Sequence, residues 1–132
     1  MSSKPLAIAV FAALVVIGGV STGFAAAADY EFQPVAAQAK AGNGTEIAVR
    51  LVHKGDNKPV AGAVLFRTRL DMSPDSMAEM VGKLEAMPTS EPGVYKFKAD
   101  LSMAGGWALH IQAKVPGEAE TVEGTVVFQA KD

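Results

Sequence analysis

Five of the chain's six methionines lie between positions 72 and 103, and the sixth is Met1. Met72, Met77, Met80 and Met87 crowd one stretch, which opens with Asp71-Met72-Ser73-Pro74-Asp75-Ser76-Met77-Ala78-Glu79-Met80. Met103 comes later, in Leu101-Ser102-Met103-Ala104-Gly105-Gly106-Trp107. A thioether is a soft ligand, and soft sulfur selects Cu(I) among biological metals. Unlike a thiolate or an imidazole, it need not lose a proton to bind. The chain has no cysteine, which excludes disulfides, thiolate metal sites and cysteine nucleophiles together. The candidate metal ligands are therefore Met72, Met77, Met80 and Met103. His110 is a secondary candidate, and Trp107 is an aromatic neighbour whose face favours a bound cation.

These residues have a plainer use, because methionine fills irregular gaps in a core and needs no metal to justify it. Two local structures fit Pro74 to Met87. One is a loop with a single helical turn, followed by a short strand near Lys83 to Met87. The other is a helix, with Ser76 and Glu79 as a capping box, Pro74 at its start and Pro88 as its stop. The helix would align Met77, Met80, Val81, Leu84 and Met87 in one apolar stripe, with Gly82 weakening it. Met72 lies outside that stripe, beside the charged Asp71, and as a loop residue it is expected to have little packing to do.

The elements that would position the methionines read as β nearly throughout. Tyr30, Phe32 and Pro34 suit a first edge strand, where proline is tolerated. After a turn at Ala41-Gly42-Asn43-Gly44, Ile47, Val49, Leu51 and His53 alternate with Ala48, Arg50 and Val52. Lys54-Gly55-Asp56-Asn57-Lys58-Pro59 is dense turn chemistry. From Ala63 to Leu70, Val64, Phe66 and Thr68 take one face, and Leu65, Arg67 and Arg69 the other. Glu91-Pro92-Gly93 turns the chain into Val94 to Ala99. Trp107, Leu109 and Ile111 then share an inward face that leaves His110 toward solvent. Pro116-Gly117 precedes a last strand from Thr121 to Gln129.

Short, evenly spaced strands with glycine and proline turns predict an all-β, immunoglobulin-like antiparallel sandwich of about seven strands. If the strands alternate in direction, those ending at Leu70 and Asp100 run to the same end. The Met72–Met80 loop and the Met103 loop then sit side by side, with the His53 turn at the opposite end. An intervening strand would carry Met87 away from them.

The N-terminus is a different kind of sequence. Met1 to Lys4 is short and carries one positive charge, Pro5 to Val20 is almost wholly apolar, and Phe24-Ala25-Ala26-Ala27-Ala28-Asp29 ends in small residues. That is the pattern of a secretory signal peptide over residues 1–28, with an uncleaved membrane anchor as the alternative. Residues 29–132 are then a single sandwich domain, expected in the bacterial periplasm or secreted. Losing Lys4 and no acid leaves 11 basic against 14 acidic residues, a net charge of −3. The basic residues form no run, which argues against a nucleic-acid partner.

The run Asp56-Asn57-Lys58-Pro59-Val60-Ala61-Gly62-Ala63-Val64, then Met72 and Met80, Pro92-Gly93-Val94-Tyr95, Ser102-Met103-Ala104-Gly105 and Trp107, resembles the FixH/YtkA-like family. The resemblance extends from about Ile47 to Phe128. It implies an exported or membrane-anchored sandwich domain associated with copper handling and heavy-metal efflux. Methionines of such domains match the Met72–Met80 loop and Met103. Gly106 stands where the resemblance implies a larger, often basic residue, and His110 matches no ligand it implies.

The leading expectation is a metal-binding accessory protein that buffers Cu(I) or passes it to an efflux or assembly system. The competing one is a protein-interaction module of an efflux or envelope complex, using the methionine-rich end as an adaptable apolar surface. An enzyme is a distant third. The chain has two histidines, and neither sits in a recognisable nucleophile or base setting.

Overall fold

The computed structural model describes residues 28–132, so the expected signal segment lies outside the described residues except for its final position. Ten strands follow in order: β1 (Tyr30–Pro34), β2 (Gln38–Lys40), β3 (Gly42–His53), β4 (Lys58–Pro59), β5 (Val64–Met72), β6 (Met77–Gly82), β7 (Leu84–Met87), β8 (Val94–Leu101), β9 (Gly105–Lys114) and β10 (Val122–Lys131). One sheet has the order β1-β3-β8-β7, with β4 on β3, and the other has the order β2-β10-β9-β5-β6. All pairings are antiparallel except that of β2 with β10. This strand order is that of an immunoglobulin-like sandwich. With β6 and β7 taken as one segment that changes sheets, and the short β2 and β4 set aside, seven principal strands remain.

Alternating sequence and sheet geometry account for the core. Trp107, Leu109, Ile111 and Ala113 of β9 point inward with Val122, Val126, Phe128 and Ala130 of β10. From the other sheet they meet Ile47, Val49 and Leu51 of β3 and Phe97, Ala99 and Leu101 of β8. Period-two patterning places such residues on one face of each strand, and burying that face drives the two sheets together. Tyr95 closes the connection into β5, its hydroxyl donating to the Val60 carbonyl (2.7 Å) and accepting from the Ala63 N–H (3.0 Å).

Three expectations need correcting, and one open alternative is decided. The strand β5 does not keep one phase along its length, because a bulge between Leu65 and Arg67 resets it. Val64 and Phe66 are left exposed, while Thr68 joins Leu70 opposite the inward-facing Ile111 and Leu109. The turn expected at 41–44 is the irregular start of β3, with its shift between Gly42 and Thr45.

Of the two local structures that fit 74–87, the turn followed by a short strand near Lys83 to Met87 is the one observed, and the helix is not. A 3-10 turn at Ser73–Asp75 ends at Ser76 in the left-handed conformation (φ 62°), and β6 and β7 follow. Gly82 explains why: a Cβ there would stand 2.6 Å from the Asp100 carbonyl and 2.7 Å from Leu70 Cδ2. The absent side chain lets the backbone cross from one sheet edge to the other, where the Asp100 N–H donates to the Lys83 carbonyl (2.9 Å). Finally, Met72 has a great deal of packing to do. It is fully buried, at 0% exposure, within the core cluster.

Candidate metal site

The alternation of strand direction brings the two methionine loops to one end of the sandwich. Met72 closes β5 opposite Met77 in the ladder. The 3-10 turn lies against the start of β9, where the Gly106 N–H donates to Asp75 Oδ2 (3.2 Å). Gly105 sits at φ 137°, and a Cβ on it would meet both Asp75 Oδ2 and the Met72 methyl carbon. At Gly106 a Cβ would stand 2.9 Å from Pro74 Cβ. The glycine pair is thus what lets the turn close down on β9, and it accounts for Gly106 where a larger residue is implied by the resemblance.

Each candidate ligand has a distinct position. Met72 is the buried wall of this end. Met77 is half-buried and packs against the core cluster. Met80 is exposed, and so is Met103, in the loop joining β8 to β9. Met87 pairs with Lys96, well along β7 and away from this end. Trp107 lies fully buried behind the loop, its indole N–H donating to the Met103 carbonyl (3.0 Å). It therefore anchors the Met103 loop rather than facing solvent. His53, beside Asp56 and Tyr30, occupies the opposite end. Among the described residues, no group of three or more His, Asp or Glu side chains is placed to hold a metal ion.

Sequence reasoning missed Asp71. It takes an outward position between the inward Leu70 and Met72, yet is only 3% exposed. Its carboxylate accepts from the Ser73 N–H (3.0 Å) and from Arg69 Nε (2.9 Å), and lies 3.3 Å from His110 Nε2. Arg69 also donates to the Ala78 carbonyl (2.8 Å), and His110 Nδ1 is 3.2 Å from the Thr125 hydroxyl. The available signal was the alternation Arg69-x-Asp71-x-Ser73, which puts three polar groups on one face of a strand end. Beside them a depression of about 410 Å³ is lined by Arg67, Arg69, His110, Gln112, Glu123 and Thr125. It opens on the outer face of β5, β9 and β10, away from the thioethers.

Burial alone would raise the Asp71 carboxyl pKa. The Ser73 hydroxyl and N–H, Arg69 and His110 outweigh burial and hold it well below the ordinary carboxylate range. A depressed carboxyl stabilises the fold above its unfolded-state pKa, and that stabilisation disappears as pH falls toward the folded-state value. Asp71→Asn is therefore expected to cost about 1–3 kcal/mol at neutral pH, with the deficit shrinking below about pH 4. Urea melts of both proteins across that range check this; a deficit independent of pH would contradict it.

A sandwich of this topology defines a small domain built on an immunoglobulin-like frame. The chain belongs to the YtkA-like family, whose sequence profile matches residues 24–112. That span contains all four candidate methionines and His110, and it stops short of β10. No curated protein matches the chain.

Proposed function

We propose that this protein is an exported, non-catalytic accessory protein of the bacterial periplasm that binds Cu(I) through methionine thioethers. It buffers the ion or passes it to an efflux or assembly system in the envelope. The observation that supports this reading is that the segment bearing Met77 and Met80 and the loop bearing Met103 lie at one end of the sandwich, where the 3-10 turn bonds to the start of β9 and Met72 is buried. Two of those thioethers, on Met80 and Met103, belong to exposed side chains. An exposed soft sulfur suits a carrier, because an ion held near the surface can be handed to a partner. Met72 forms the wall behind the site, and Met77, Met80 and Met103 are the ligands.

Val81, next to Met80 in the chain, is exposed as well, which favours a second use of the same end, as an apolar contact for that envelope partner. Titration of the metal-free protein with Cu(I) under reducing conditions, against a competing chelator, is expected to give one tightly held ion per chain. Absence of binding overturns the copper reading, leaving the contact surface as the function of this end.

A further inference from the structure

The strand β5 exposes two consecutive side chains that a regular strand would put on opposite faces. Its ladder passes from Leu65↔Ala113 directly to Arg67↔Gln112, so Phe66 has no opposite residue on β9. Phe66 (50% exposed) and Arg67 both stand open to solvent, with Val64 (62%) two positions earlier. Bulges are over-represented beside active sites, where they re-aim a side chain. Further along β5, Arg69 is committed to Asp71 and to the Ala78 carbonyl. Arg67 is not committed: among the described residues its guanidinium has no ion-pair or hydrogen-bond partner. It lines the depression of about 410 Å³ on this face with its fork of donors unused.

Strand pairing arranges the lining in two cross-strand rows. One row is Arg67, Gln112 and Glu123, and the other is Arg69, His110 and Thr125. Two strand spacings, about 10 Å in all, separate Arg67 from Glu123. Between them Gln112 donates to Glu123 (3.1 Å). The other acid of this face, Asp71, is taken up by Arg69 and the Ser73 N–H. The charge of Arg67 is therefore unopposed on its own side of the depression, in a domain whose acidic residues outnumber its basic ones. A carboxylate is the group that matches a free guanidinium in both charge and shape.

We propose that this face docks an extended acidic segment of a protein partner, with a carboxylate on Arg67 and an apolar side chain on Phe66 and Val64. Aromatic side chains and arginine are the usual anchors of protein interfaces. A small anion would leave the apolar pair in water. An extended segment carries same-face side chains about 7 Å apart, so a carboxylate and an apolar group two residues on reach both anchors. A flat anionic bilayer would meet Glu123 as well as Arg67, which favours the peptide over a lipid surface. The proposal is independent of the copper reading, because Val64, Phe66 and Arg67 are not among the ligands assigned to the ion.

The test is an NMR titration of the metal-free protein with an acetylated, amidated heptapeptide in which glutamate and leucine alternate at the odd positions, with serine between them. Shifts should centre on Val64 to Arg69, Gln112 and Glu123. Arg67→Gln is expected to weaken binding about fivefold, the upper range for an exposed ion pair, and Glu123→Gln to strengthen it about twofold. Phe66→Ser should weaken it about threefold, for part of an aromatic surface covered. The same peptide with glutamine for glutamate should bind at least about fivefold more weakly. All three substitutions are at exposed positions, and unchanged urea midpoints check that the variants fold. Absence of binding, shifts centred elsewhere, or an affinity indifferent to Arg67→Gln overturns the proposal. Vesicles of phosphatidylglycerol should not bind; binding to them that Arg67→Gln abolishes would make the face a lipid contact and overturn it as well.

Discussion

Trp107→Ala is expected to destabilise the protein by about 3–5 kcal/mol, the usual effect of truncating a fully buried large aromatic. Trp107 is the largest fully buried side chain and stands opposite Phe128 in the β9–β10 ladder. It also touches two features of the methionine end. Its indole N–H holds the Met103 carbonyl, and its ring lies 3.2 Å from the Cβ position that Gly82 leaves empty. Truncation therefore opens a cavity, frees the Met103 loop and removes the surface against which the strand crosses between sheets. Trp107→Phe separates these effects. It keeps most of the apolar volume but leaves the Met103 carbonyl without its donor, for about 1–3 kcal/mol. Chemical denaturation of the two variants checks both values. A loss below about 1 kcal/mol for alanine would mean that Trp107 is not the anchor described.

The second large effect concerns metal affinity and separates Met77, Met80 and Met103 from the fully buried Met72. Replacing Met77, Met80 and Met103 together by leucine keeps apolar bulk and removes the sulfurs. Loss of outer-shell partners alone commonly lowers metal affinity about 10–100-fold, so removal of the proposed ligands themselves should exceed about 100-fold. Met72→Leu is a near volume-conserving core exchange, expected to cost less than about 1.5 kcal/mol in stability. It should leave Cu(I) affinity within about threefold of the wild type, a difference of less than about 1 kcal/mol. Competition titrations of the two variants test the assignment. Equal losses in both would place Met72 among the ligands, in spite of its burial.

The contrast between Met72 and the other methionines shows where sequence reading runs out. Strand identity was legible wherever one face is buried, as in Trp107, Leu109 and Ile111, because alternation at period two is imposed by the pleat. From that phase and the turns came the sandwich, the meeting of the Met72–Met80 and Met103 loops at one end, and the removal of Met87 from it. What alternation does not encode is an irregularity. The bulge after Leu65 reverses which residues of β5 face inward, and nothing in Val64-Leu65-Phe66-Arg67 marks it locally.

The helical stripe from Met77 to Met87 failed for a related reason. Its spacing satisfies a helix, but Gly82 is used for a close backbone approach to Asp100 that exists only in the folded sandwich. Met72 was misjudged because its polar neighbours, Asp71 and Ser73, suggested a solvated loop. Those neighbours turn outward and bond to one another, and Met72 therefore turns inward to the core.

Asp71 repeats the lesson from the polar side. A carboxylate between Leu70 and Met72 reads as a strand end facing water. Its burial depends on Arg69, Ser73 and His110 closing round it, and His110 arrives from β9, 39 positions along the chain. Charged groups in such a setting are stabilised by their hydrogen bonds or not at all.

X-ray absorption at the copper edge, on the Cu(I)-loaded protein, reads the ligand atoms themselves. A thioether site formed by Met77, Met80 and Met103 predicts a first shell of sulfur alone, unchanged in His110→Gln and lost in the triple leucine variant. A shell containing nitrogen or oxygen donors, or one that survives loss of the three methionines, would contradict it.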